Sequence, residues 1–160
     1  METLETVQPD YELERGKPIP SKLHGRLQAK LIGLLYVSCG QTHTIYSELS
    51  LTLAPLYLKQ VPDIALYEGV VPYTTSDEIT VSELPGIAIE ILSPTQGLEE
   101  LTDRIERYLA AGVKSCWLVL PGIRTVSVST KPGEYQTFDR HQKLIDSVAG
   151  IELDLNALFQ

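Results

Sequence analysis

Two rhythms of apolar residues alternate along this chain. In "SKLHGRLQAKLIGLL", Leu23, Leu27, Leu31, Leu34 and Leu35 return at three- and four-residue steps. That spacing predicts a helix with one buried stripe. Ser21 stands where a cap belongs, and His24 and Gln28, four apart, share a face beside the stripe. "LEELTDRIERYLAAGV" predicts a second helix, with Leu98, Leu101, Ile105, Tyr108 and Leu109 as its stripe and Gly112 as its stop. Elsewhere the period is two. "YELERGKPIP" reads as a short strand and a Pro-marked turn, "TIYSELSLTL" as one strand, and "VPDIALYEG" as another, ended by Gly69. In "GIAIEILSP", Ile87, Ile89 and Ile91 fall on one face and Ala88, Glu90 and Leu92 on the other, with a stop at Ser93-Pro94. "SCWLVL" suits a buried strand, and "TVSVST" and "EYQTF" flank "KPG" as a hairpin. Residues 70–85, rich in Thr, Ser, Pro and acids, read as a long surface connection. "IELDLNALF" is apolar enough to pack back onto the rest. The order helix, strand, strand, strand, helix, strand predicts an α/β (α+β) domain with one mixed central sheet.

Composition narrows the picture. The 160 residues suit a single domain over 1–160, and 43% hydrophobic content supports a packed core. No apolar run approaches the ~20 residues of a membrane span. No basic, then apolar, leader opens the chain, so a cytoplasmic protein is expected. Cys39 and Cys116 lie in apolar segments and read as buried free thiols. Neither has zinc-site spacing. The net charge of −8 counts against a strong, unspecific nucleic-acid binder, whose affinity would come from Lys and Arg on phosphate. It leaves room for an enzyme that meets nucleic acid through a local patch and metal ions.

The chemistry begins with Glu90, a carboxylate inside an otherwise apolar strand. Burying it requires a cation, hydrogen-bond donors or a metal. Asp63 follows Pro62 in the neighbouring strand-like segment. If the two strands pair, both carboxylates project from one face, and two converging acids suit a hard divalent cation. The backbone carbonyl of Ile91 would add a third oxygen. The plainer alternative is that each acid pairs with a nearby Arg or with backbone amides. On the second helix, Arg104 flanks the apolar stripe beside Leu101 and Tyr108, whereas Asp103 and Arg107 point towards solvent. Arg104 is therefore the charge placed to lean over the sheet, either as part of a site or with its stem covering the stripe edge.

Taken in order, "YELERGKPI", the helix with His24, "VPDIALYEG", "AIEILSPTQ" and "DRIERYLAAGVKSCWLVLP" resemble the Uma-type restriction-endonuclease family. That family, once known only as a domain of unknown function, belongs to the PD-(D/E)XK superfamily. The resemblance runs from about Tyr11 to the "IELDLNALF" tail. It implies a restriction-endonuclease-like core, a central mixed sheet flanked by helices, and a metal-dependent endonuclease that hydrolyses DNA phosphodiester bonds. Asp63 and Glu90 would hold Mg²⁺ or Mn²⁺, Glu12 would be a third acid on the metal, and His24 would orient a phosphate or water. Cutting both strands of a duplex would favour a homodimer.

The chain departs from the family at the lysine. The motif's lysine is absent from the Glu90 strand, where Leu92 stands. The position on the following helix where the family carries it is Arg104. Arginine stays charged, so it can stabilise a phosphate but not take a proton from water. A catalytically weak or inactive nuclease-fold module that binds nucleic acid or protein is the alternative. A purely structural homodimer is a third reading, which leaves Asp63 and Glu90 unexplained.

Overall fold

The computed structural model describes residues 10–17 and 19–160. Residues 1–9, which include the expected leaderless start, and Pro18 of the expected turn lie outside the described residues. Six strands form the central sheet in the order β1 (His43–Ser47), β4 (Ile64–Glu68), β5 (Ile87–Ile91), β6 (Ser115–Leu120), β7 (Thr125–Lys131) and β8 (Glu134–Asp139). Only β5 and β6 run parallel. They are joined by α3 (Leu98–Ala111), as a parallel pair requires a crossover.

The alternation in β5 sorts the core into two layers. Ile87, Ile89 and Ile91 pack with Trp117 and Val119 against Leu27, Leu31 and Leu35 of α2 (Lys22–Cys39). Ala88 packs on the opposite side with Leu101, Ile105 and Tyr108 of α3. The tail returns as expected. Ile151, Leu153, Leu155 and Leu158, from β10 (Ile151–Asp154) and α4 (Leu155–Leu158), complete the α2 layer. Among the described residues, no helix is long and apolar enough to cross a membrane. Cys39 and Cys116 are buried free thiols.

Ser21 caps α2 by accepting the His24 N–H at 3.2 Å, and Gly112 ends α3 in the left-handed region at φ +117°. The stripe of α2 is rotated from the expected one. His24 is buried and Leu23 is half exposed.

Two segments differ from the expectation. "YELERGKPIP" contains a helix, α1 (Asp10–Arg15), rather than a strand. Its Glu, Leu and Arg residues are good helix formers, and the polar–apolar alternation is too short to outweigh them. "TIYSELSLTL" is two strands rather than one. The chain breaks at Glu48, with φ +50°, and β2 (Leu51–Leu53) pairs with β3 (Leu58–Gln60) in a separate small sheet. At the break the Glu48 N–H donates to the Asp63 carbonyl, and its carboxylate meets Arg15.

A buried carboxylate also anchors the tail. Asp146, at the end of β9 (Lys143–Asp146), accepts hydrogen bonds from the Trp117 indole, the Ser115 hydroxyl and the N–H groups of Val148 and Ala149. Asp146→Ala is expected to lose about 3 kcal/mol, because donors on β6 are left buried and unpaired. A lowered urea midpoint at unchanged slope would show it. A loss below about 0.5 kcal/mol, the level of an ordinary surface change, would contradict it.

Candidate functional site

Antiparallel pairing of β4 with β5 places Ile64 opposite Ile89. One residue further, that register sets Asp63, just before β4, against Glu90. Both carboxylates are fully buried. Between them lies the Lys17 ammonium, with Nζ 2.6 Å from Asp63 Oδ1 and 2.6 Å from Glu90 Oε2. Lys17 reaches this point because the chain reverses at Gly16, whose φ of +69° favours glycine. A Cβ there would also stand 3.4 Å from Arg104 Nη1.

The remaining carboxylate oxygens are engaged as well. Arg15 Nη2 donates to Asp63 Oδ1 at 2.6 Å, and the Ile91 N–H donates to Oδ2 at 2.7 Å. His24 Nε2 lies 3.1 Å from Oδ2. Glu90 Oε1 receives Arg104 Nε and Nη2, each at 3.0 Å, and the Tyr108 hydroxyl at 2.7 Å. Arg104 Nη2 also donates to the Val61 carbonyl at 2.7 Å. Gln60 bridges the Arg104 carbonyl and the Arg107 guanidinium, while Gln28 donates to the Asp63 carbonyl.

The electrostatics follow this geometry. Burial works to raise the Asp63 carboxyl, but the His24 hydrogen bond and the Lys17 charge hold it well below the usual carboxylate range. Burial would lower the Arg104 guanidinium, and Glu90 more than offsets it, so Arg104 is held above its ordinary value. Burial and the adjacent Glu90 charge push Tyr108 far up, which keeps its hydroxyl a donor.

The structure thus brings Asp63, Glu90, His24 and Arg104 together. Ile91 joins through its N–H. Glu12 is elsewhere in its described contacts, with Oε1 accepting the Ile19 N–H at 3.3 Å. Sequence reasoning missed Arg15, Lys17, Glu48 and the hydroxyl role of Tyr108. Tyr108 stood in the apolar stripe, and the only signal for the two cations was a pair of basic residues around a glycine in "ERGKP".

Among the described residues, no three His, Cys, Asp or Glu side chains are grouped so as to hold a metal ion. The donor chemistry of Asp63 and Glu90 nevertheless suits a cation, and Lys17 Nζ marks where one sits. A divalent ion between these carboxylates requires Lys17 to withdraw.

Glu90→Gln should destabilise the metal-free protein by about 3–5 kcal/mol, because it removes the negative charge that Lys17 and Arg104 face inside the core and sets an amide NH2 against one set of donors. Thermal melts in chelator would measure it. A stabilised variant would show that fixed donors do not compensate Glu90. The lowered Asp63 pKa sets a pH dependence. Between its folded value and the unfolded value of about 4, the unfolded chain binds the extra proton. Asp63 therefore contributes stability above about pH 4 that is lost progressively as pH falls further. A melting temperature unchanged between pH 5 and pH 3 would contradict this.

One solved structure shares this fold. The crystal structure of "a putative nuclease belonging to DUF820" from Anabaena variabilis superposes with a TM-score of 0.75 at 25% identity, covering 89% of this chain and 83% of that one. The DrdV–DNA complex has a TM-score of 0.41 at 14% identity, over 86% of this chain and 13% of the other. No curated protein matches the sequence. The Uma2 family, described as "Putative restriction endonuclease", matches residues 1–156, and the chain belongs to that family.

Proposed function

We propose that this protein is a divalent-metal-dependent endonuclease that hydrolyses DNA phosphodiester bonds at the Asp63–Glu90 pair. The observation that carries the reading is the facing of the two carboxylates across β4 and β5 with a cation bonded to both, in a member of the Uma2 family. A protein described as a putative nuclease shares its architecture. Asp63 and Glu90 would hold Mg²⁺ or Mn²⁺, with the Ile91 carbonyl as a further oxygen. When bound, such an ion polarises a phosphoryl oxygen and lowers the pKa of a bound water.

The chain's own residues divide the remaining work. Arg104 is spent on Glu90 and Val61, so it acts as a positioning residue that fixes the carboxylate. Tyr108 fixes the same oxygen from one turn further along α3. His24 and the Ile91 N–H orient Asp63. Lys17 is the lysine of this site, delivered from the α1–α2 connection instead of α3. An ammonium can give up a proton or donate to a phosphate, which a guanidinium locked on Glu90 cannot do. Glu12 has no part in this reading.

One observation favours the non-catalytic module. The buried carboxylates are already met by Arg15, Lys17 and Arg104. The two readings separate in a paired experiment. Calorimetry with Mn²⁺ should show weak binding to the parent and about tenfold tighter binding to Lys17→Met, since one competing cation is gone. A factor of ten corresponds to about 1.4 kcal/mol. The parent should nick supercoiled DNA in Mn²⁺ at low salt, and Asp63→Asn should not. No heat from either protein and no nicking by the parent would overturn the nuclease reading in favour of the module.

A further inference from the structure

His24 is buried, yet its Nδ1 has no hydrogen-bond partner among the described residues. The ring lines a cavity of about 290 Å³ with Ser21, Leu92, Ser93 and Pro94. Leu23, Pro121 and Gly122 line both this cavity and a larger cleft of about 680 Å³. The larger cleft carries Arg26, Arg124, Arg140 and His141. Of the six arginines in the chain, three therefore face one cleft, in a protein of net charge −8.

Among the described residues, none of these three arginines forms an ion pair with a carboxylate side chain. Arg26 donates to the Gln160 backbone oxygen at 3.2 Å. Arg140 Nε lies 3.2 Å from His141 Nε2. The one acid that lines the cleft, Asp139, accepts the His141 N–H at 2.8 Å and so braces its own turn.

The arginines are presented by fixed backbone. Arg124 closes the 3₁₀ turn Pro121–Ile123, with φ +49° and its N–H on the Pro121 carbonyl. Arg140 rides on the turn between β8 and β9. There the Asp139 N–H donates to Gln142 Oε1, and the Gln142 carbonyl accepts the Leu155 N–H from α4. Arg26 stands two residues from His24 on α2.

We propose that this cleft seats the phosphodiester backbone of DNA alongside the bond to be cut, a proposal that rests on the nuclease reading above. Arg26, Arg124 and Arg140 are its phosphate contacts, for which the planar guanidinium fork is suited. In the adjoining smaller cavity His24 Nδ1 stands as an unpartnered buried polar atom. A locally cationic cleft explains how an acidic protein meets a polyanion, because the contact depends on neighbouring charge within about one Debye length rather than on the net sum.

The test is binding of a short fluorescein-labelled duplex, read by anisotropy at low salt in chelator, so that no cleavage intervenes. Arg124→Gln/Arg140→Gln should bind about tenfold or more weakly than the parent. The slope of log affinity against log salt should fall by about two, one for each phosphate contact removed. Lys114→Gln/Lys131→Gln, which removes the same charge from exposed positions outside the cleft, should change affinity by less than about twofold. A parent that does not bind, an arginine variant that binds like the parent, or equal losses in the two double variants would overturn the cleft. Nicking by the parent without loss of binding in the arginine variant would keep the nuclease reading and reject the cleft. Loss of binding in that variant with no nicking by the parent would keep the cleft and reject the nuclease.

Discussion

The Lys17 ammonium, held at 2.6 Å by both Asp63 and Glu90, is the contact on which the interior of this protein turns. Two carboxylates set face to face by strand pairing repel one another and lose their hydration. Each penalty alone would drive one of them to take up a proton. The ammonium answers both at once, and Arg15 and Arg104 complete the neutralisation from either side. Local structure is bent to serve it. Gly16 reverses the chain to deliver Lys17, and Glu48 breaks a strand to meet Arg15 and the Asp63 carbonyl. Buried ion pairs of this kind add little net stability over apolar packing.

Much of the fold was legible in the sequence because it depends on periodicity. The alternation around Glu90 assigned its two faces correctly, the α3 stripe marked Arg104 as a residue at the sheet, and the pairing of the Asp63 and Glu90 segments, entertained only as a condition, is the one observed. What escaped was set by long-range contact. The strand break at Glu48 has no local signal, since "TIYSELSLTL" alternates through it and only the partners of Glu48 explain its backbone. Lys17 and Arg15 lie in a short, mostly polar stretch whose brief alternation read as a strand, so nothing nearby marks them as buried. Tyr108 was read for its ring, and its hydroxyl could be assigned only once Glu90 was placed.

The question posed by Arg104 changes in this light. An arginine where family members carry lysine suggested a slow site or a relic, with the guanidinium over the phosphate. Its Nε and Nη2 are instead committed to Glu90 and Val61, and a lysine enters the same site from a different element. Under the proposed function, Arg104 fixes the carboxylate and Lys17 is the cation that a metal would replace. The account stands or falls on whether Lys17 and a divalent ion compete for one position.

Anomalous diffraction from crystals grown with and without Mn²⁺ addresses that competition most directly. The expected result is a manganese peak between Asp63 and Glu90, with Lys17 Nζ withdrawn from both carboxylates, and Lys17 bridging them in the metal-free crystal. A peak elsewhere, or manganese bound at the pair while Lys17 still bridges it, would contradict the account.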